Sequence, residues 1–276
     1  TAITNASDLN TKQKEALKAQ VTSAGRVSVA NGVEHTVTEL NTAMTALKRA
    51  IADKADTKAS GNYVNADANK RQAYDEKVTA AENIVSGTPT PTLTPSDVTN
   101  AATQVTNAKT QLNGNHNLEV AKQQAKDALR QMTHLSNAQK QSITGQIDSA
   151  TQVTGVQSVK DNATNLDNAM NQLRNSIANK DEVKASQPYV DGDTDKQNAY
   201  NTAVTSAENI INATSQPTLD PSAVTQAANQ VNTNKTALNG AQNLANKKQE
   251  STANINQLSH LNNAQKQDLN TQVTNA

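Results

Sequence analysis

The chain is 276 residues long, 34% hydrophobic and 1% aromatic, with 25 basic and 25 acidic residues and no cysteine. Zero net charge and an aromatic set of four tyrosines exclude a basic nucleic-acid face and a base-stacking platform. No apolar run is long enough to cross a bilayer, and neither disulfides nor thiolate chemistry can arise.

The sequence repeats every 126 residues without insertion. Tyr63 and Tyr74 return as Tyr189 and Tyr200, Pro91 and Pro95 as Pro217 and Pro221, and Leu112-Asn113-Gly114 as Leu238-Asn239-Gly240. The segment Leu9 to Lys14 returns at Leu135 to Lys140 and again at Leu261 to Lys266. The chain begins in mid-repeat, and its last 24 residues open a third copy, so it reads as an excised fragment lacking targeting and anchoring segments. A fixed period marks an array, and arrays supply length, multivalency or surface more often than a catalytic pocket.

In chain order, Val33, Val37, Leu40, Met44, Leu47 and Ile51 are spaced as one helical stripe, repeated from Val159 to Ile177. Continued to Ala59, it predicts a helix of about 40 Å at 1.5 Å per residue. Tyr63 and Tyr189 are expected in the loop that follows, with Asp67 and Asp193 as N-caps of the next helix. That helix carries Tyr74, Val78, Ala81 and Val85, repeated as Tyr200, Val204, Ala207 and Ile211. Pro95 and Pro221 open a third helix, where the missing N–H costs nothing, capped by Thr94 or Asp220. Its stripe is Val98, Ala101, Val105, Ala108 and Leu112, with Val224, Ala227, Val231 and Leu238 in the second copy. A single helix from Pro221 to about Leu258, passing through Asn239-Gly240, is expected to tolerate its glycine. Between these trios, Leu118, Ala121, Ala125, Leu129 and Met132 predict one helix. Ser136 or Asn137 caps a shorter one with Ile143, Ile147 and Ala150, and Gly155 breaks it from a long helix beginning near Val156.

The two copies share mainly core and punctuation, such as Leu40/Leu166, Met44/Met170 and Leu112/Leu238. Polar positions such as Arg49/Asn175 and Lys77/Ala203 drift. No catalytic, cofactor-binding or metal residue is assigned. Asp191-Gly192-Asp193-Thr194-Asp195 alternates carboxylates as calcium loops do, but Lys196 and Thr202 occupy positions that need Gly and Glu, so capping is the expected role. His35, His116, His134 and His260 lack metal spacing and are expected on a solvated surface. The tyrosine pairs are expected to close the bundle core, and Lys54/Lys180, Lys58/Lys184 and Lys70/Lys196 to form a solvated face.

Leu166-Asp167-Asn168-Ala169-Met170-Asn171-Gln172-Leu173, Ile177, Tyr189, Ala199-Tyr200 and Ala207-Glu208-Asn209-Ile210-Ile211 resemble a FIVAR module, as do their counterparts from Leu40 to Ile84. Leu118 through Ala150, with Leu135, Gln139-Lys140 and Ile147, resembles a GA-type three-helix module. Their gapless alternation is similar to the repeat regions of giant matrix-binding proteins of staphylococcal-type cell walls. The expected fold class is all-α: tandem three-helix bundles of two alternating types, joined through long shared helices into an elongated rod. The expected division is 1–34 (partial GA-like), 35–113 (FIVAR-like), 114–160 (GA-like, sharing the following long helix), 161–239 (FIVAR-like) and 240–276 (partial GA-like). The resemblance implies an extracellular, cell-surface, non-enzymatic and monomeric segment, acting as spacer and weak multivalent binder of host matrix, fibronectin above all. The alternative is a dedicated module for a serum protein, albumin or immunoglobulin. Ser142, Thr144 and Gly145 on the short helix, with no apolar patch beside them, argue against albumin. Nucleic acid, membrane insertion and cofactors have no place in this reading.

Overall fold

The computed structural model describes residues 1–276 as sixteen helices and no strand. In chain order these are α1 (Ala2–Asn5), α2 (Thr11–Thr22), α3 (Val27–Ile51), α4 (Lys54–Ala59), α5 (Gly61–Val64), α6 (Ala68–Ser86), α7 (Pro95–Thr110) and α8 (Gly114–Arg130). They continue as α9 (Asn137–Ser149), α10 (Val153–Ile177), α11 (Lys180–Ala185), α12 (Gln187–Val190), α13 (Thr194–Asn212), α14 (Pro221–Thr236), α15 (Gly240–Asn256) and α16 (Asn263–Asn275). Two units result, Thr1–Gln124 with Ala150–Val156, and Ala125–Ser149 with Gln157–Ala276, so α8 and α10 each supply residues to both.

In the first unit α3 packs on α1, α2, α6 and α7. Val33, Val37, Leu40, Met44 and Leu47 are buried, as their spacing predicts, with Ala43 beside them. They meet Tyr74, Val78 and Ala81 from α6 and Val98, Val105 and Ala108 from α7 in one core. Each fully buried Leu or Val side chain contributes about 1.5–3 kcal/mol. In the second unit Ala163, Leu166, Ala169, Met170 and Leu173 of α10 are buried, as are Tyr200, Val204 and Ala207 of α13 and Val224, Ala228 and Val231 of α14. The third stripe thus uses Ala228 rather than Ala227 as its buried alanine. Leu129, Leu135, Ile143 and Ile147 fill the alternating bundle of the same unit.

Several boundaries differ from the sequence expectation. The first long helix starts at Val27 and stops at Ile51 instead of running to Ala59. Past this break, Asp53 pairs with Lys109 of α7 and Lys54 with Glu82 of α6 at 2.9 Å. Tyr63 and Tyr189 lie in one-turn helices, α5 and α12, not in open loop. α10 begins at Val153, ahead of Gly155, which lies in its first turn with open space around it. Pro221 to Leu258 is two helices, because the chain leaves helical geometry before Gly240.

Candidate functional site

The second unit and the first are each held together by amide side chains that bond backbone groups of a neighbouring trio, and these joints recur in both copies. The first joint starts from a capping box. Asn10 and Gln13 at the start of α2 exchange side-chain and backbone bonds at 2.8 and 2.9 Å, and Ser136 and Gln139 repeat this at α9. Gln13 and Gln139 are 0% exposed. With the side-chain oxygen occupied by the cap, each Nε2 donates outward to a carbonyl of the proline segment: Gln13 to Thr92 O at 2.8 Å, Gln139 to Thr218 O at 2.9 Å. The proline segment cannot satisfy that carbonyl helically, so the glutamine supplies the donor. Asn10 adds bonds to Ile84 O and Val85 O at the end of α6, and Lys12 one to Gly87 O. Gly87 is left-handed (φ 77°), which only glycine adopts without strain.

The second joint gathers the turn before α6, the end of α7 and the start of α8. Asn113 Oδ1 accepts from Asp67 N–H at 3.0 Å, and Asn113 Nδ2 donates to Asp67 Oδ2 at 2.9 Å. Asn117 Nδ2 donates to Asp67 Oδ1 at 3.0 Å and to Asn65 O at 2.9 Å. In the second unit Asp193, Asn239, Asn243 and the carbonyl of Asp191 make the same four bonds, at 2.9 to 3.0 Å. Hydrogen bonds from Asn113 and then Asn117 hold the Asp67 carboxyl below its ordinary value, and Asn239 and Asn243 do so for Asp193. Both aspartates stand at N-cap positions as expected, yet neither side chain caps its helix, since the amides occupy it.

Gly114 and Gly240 explain the helix break. A Cβ at Gly114 would stand 2.5 Å from Gly61 O and overlap the Asn62 carbonyl, and one at Gly240 would stand 2.5 Å from Pro188 O. The glycine is there for close backbone approach, not as a tolerated bend. In the first unit Asn65, only 8% exposed, extends the joint. Its Nδ2 donates to Thr151 O at 2.9 Å and its Oδ1 accepts from Val153 N at 2.8 Å, so a residue between α5 and α6 caps the start of α10. An open groove beside it is lined by Val64, Val120, Ala121 and Val153, with Asp67 and His116 at its edge.

The remaining sequence candidates resolve as follows. Tyr74 and Tyr200 are core, in edge-to-face contact with Tyr63 and Tyr189 at 6.1 and 6.3 Å. Burial pushes the Tyr63 and Tyr200 hydroxyls up. Lys54 and Lys180 are ion-paired to Glu82 and Glu208 rather than merely solvated. His134 likewise has partners: its N–H donates to Asp167 Oδ1 at 2.8 Å, its ring Nδ1 lies 3.1 Å from Asp167 Oδ2, and its carbonyl accepts from Arg174. In the first unit Asp8 takes this place, its N–H donating to Asn41 Oδ1 at 2.9 Å and its carboxylate meeting Thr45 and Lys48. The carboxylate has changed sides between the copies while the backbone bond has stayed. Polar identity is kept at Gln13/Gln139, Asp67/Asp193, Asn113/Asn239 and Asn117/Asn243 against the drift at positions such as Arg49/Asn175, and that retained identity was the available signal for the joints.

The FIVAR domain matches residues 43–113 and 169–239, and the GA module matches 1–43, 115–169 and 241–276. The chain is 76% identical over 275 residues to the extracellular matrix-binding protein EbhA of Staphylococcus aureus strain Mu3 and 65% identical over 276 residues to ebh of strain NCTC 8325. It spans 4% and 3% of the length of these relatives. The crystal structure of an EbhA domain from Staphylococcus aureus superimposes with a TM-score of 0.78 at 40% identity, covering 84% of this chain and 92% of that one.

Proposed function

The chain belongs to the family of alternating FIVAR domains and GA modules that form the repeat region of the staphylococcal Ebh proteins, and from that premise we propose a semi-rigid spacer that carries weak, multivalent contacts to host matrix. FIVAR and GA modules are binding modules, not enzymes. The relatives are named as extracellular matrix-binding proteins, which supports an extracellular, cell-surface location and a matrix protein such as fibronectin as partner. The division at 35, 114, 161 and 240 is part of the same proposal.

One observation carries the spacer reading. The amide side chains that both copies keep at Gln13/Gln139 and Asn117/Asn243 are spent on joints between helical trios, with donors that point at backbone carbonyls inside the fold. A chain selected for one deep ligand site would keep polar groups facing a cavity instead. Weak contacts repeated along such an array gain affinity through effective concentration, by roughly 100- to 10,000-fold for linked sites that can engage together. The test is binding of this chain to immobilised fibronectin and to serum albumin at low and physiological salt. Saturable fibronectin binding that survives physiological salt supports adhesion in these modules. Tight one-to-one albumin binding replaces it with the serum-protein reading, and binding to neither leaves reach and stiffness as the whole function.

A further inference from the structure

Both second-type joints are built on the dipeptide Asn-Gly, at Asn113-Gly114 and Asn239-Gly240. The fold ties down both halves. The glycine is required because a Cβ would collide with the Gly61 and Asn62 or the Pro188 carbonyls. The asparagine is required because one side-chain end accepts from the aspartate N–H and the other donates to its carboxylate, at 3.0 and 2.9 Å in both units. An aspartate there loses the donor and sets carboxylate against carboxylate. Asn followed by Gly is also the dipeptide whose backbone nitrogen reaches the side-chain carbonyl carbon with least hindrance.

We propose that Asn113 and Asn239 are sites of spontaneous deamidation gated by their aspartate partners. While the joint is closed, both ends of the amide are engaged and Asn239 is fixed at φ −116°, ψ 17° at the head of α15, so ring closure must first break the joint. When it opens, the Gly114 nitrogen loses its proton and bonds to Cγ of Asn113, the Cγ–Nδ2 bond breaks, and ammonia leaves a succinimide. Water then adds to either ring carbonyl, cleaving one C–N bond to give aspartate or isoaspartate. No oxidant or reductant is involved. The product faces an Asp67 carboxyl that already ionises below its ordinary range, so two charges oppose each other and the joint does not re-form. The extent of conversion thereby reports the cumulative time the joint has spent open. Asn31-Gly32, inside α3, supplies a helical Asn-Gly with no such partner pair.

The test uses the two copies as controls for each other. The Asp67→Ala chain is held at body temperature and mildly alkaline pH, and peptide mass mapping follows amide-to-acid conversion at residues 113 and 239 of the same molecules. Asn113 should convert roughly fivefold faster than Asn239, as expected from losing a bond with a net worth near 1 kcal/mol. Asp193→Ala should invert the order, and the unfolded wild-type chain in urea should convert both equally and fast. Equal rates at the two positions in folded Asp67→Ala, or a native wild-type rate equal to that in urea, overturns the proposal. Circular dichroism verifies folding. If Asp67→Ala loses helicity, Asp67→Val, which fills more of the space and offers no acceptor, takes its place with the same expected order.

Discussion

Replacing Gln139 with alanine isolates what the first joint contributes. The side chain is 0% exposed and makes two bonds, accepting from Ser136 N–H at 2.8 Å and donating to Thr218 O at 2.9 Å. Loss of the reciprocal cap costs about 1 kcal/mol, the partly buried Thr218 carbonyl left bare about another, and the lost buried methylene somewhat under 1, for about 2–3 kcal/mol together. In a unit of this size that corresponds to a fall of about 5–10 °C in Tm. Gln265 is the natural control, since it closes the same capping box with Asn262 but is exposed, so Gln265→Ala should cost no more than about 1 kcal/mol. Urea unfolding followed by far-UV circular dichroism measures both. Gln139→Leu separates bonding from packing, because it keeps the bulk and removes both bonds. If Gln139→Leu is as stable as wild type, or if Gln139→Ala costs no more than Gln265→Ala, the joint is packing alone and the hydrogen-bond reasoning is wrong.

Further outcomes follow from the same geometry. Gly240→Ala should destabilise by about 1–3 kcal/mol through overpacking against Pro188, whereas Gly145→Ala, in open space within α9, should stabilise by about 0.5–1 kcal/mol; equal effects in chemical denaturation would contradict the close-approach account. Tyr200→Phe should be neutral or stabilising in melting experiments, since the buried Tyr200 hydroxyl has no hydrogen-bond partner. Leu173→Asp places a charge at a 0% exposed core position and should abolish the cooperative melting of its unit; unchanged helicity and melting would refute the assigned core. Asp67 and Asp193 have folded-state values below their unfolded ones. Their stabilisation is therefore complete above the unfolded value, about 3.9, and is lost as pH falls through the lower folded value. A chain carrying Asp67→Asn and Asp193→Asn should show a shallower acid limb in melting temperature against pH, and an unaltered limb would locate acid sensitivity elsewhere.

The helical stripes were readable because burial imposes a 3.6-residue period: Leu40, Met44 and Leu47, and Val98 and Val105, lie on buried faces as spaced. The break after Ile51 carries no such mark in the stripe, and the ion pairs of Asp53 with Lys109 and Lys54 with Glu82 just past it join residues far apart in sequence. Gly240 was visible but ambiguous, since a glycine inside a helical pattern and a glycine under a crossing backbone look alike until the crossing strand of chain is located. The joints were the least legible part. A glutamine donating to Thr218 O or an asparagine donating to Asp191 O has a partner with no side-chain identity, so no motif links the two positions. Only the persistence of Gln139, Asn239 and Asn243 against a drifting polar background pointed to them.

That anonymity of the partner has its own consequence. Because the amides of Gln13, Gln139, Asn117 and Asn243 address carbonyls, the side chains on or near those carbonyls are free to change. Asn65 has become Asp191, and Gly87-Thr88-Pro89-Thr90 ahead of the proline segment has become Ala213-Thr214-Ser215-Gln216, yet the bonds persist at 2.8 to 2.9 Å. Each unit is therefore insensitive to substitution along much of the chain that its amides face: a mutated copy keeps its own joints provided it brings three amide side chains, an aspartate and a glycine.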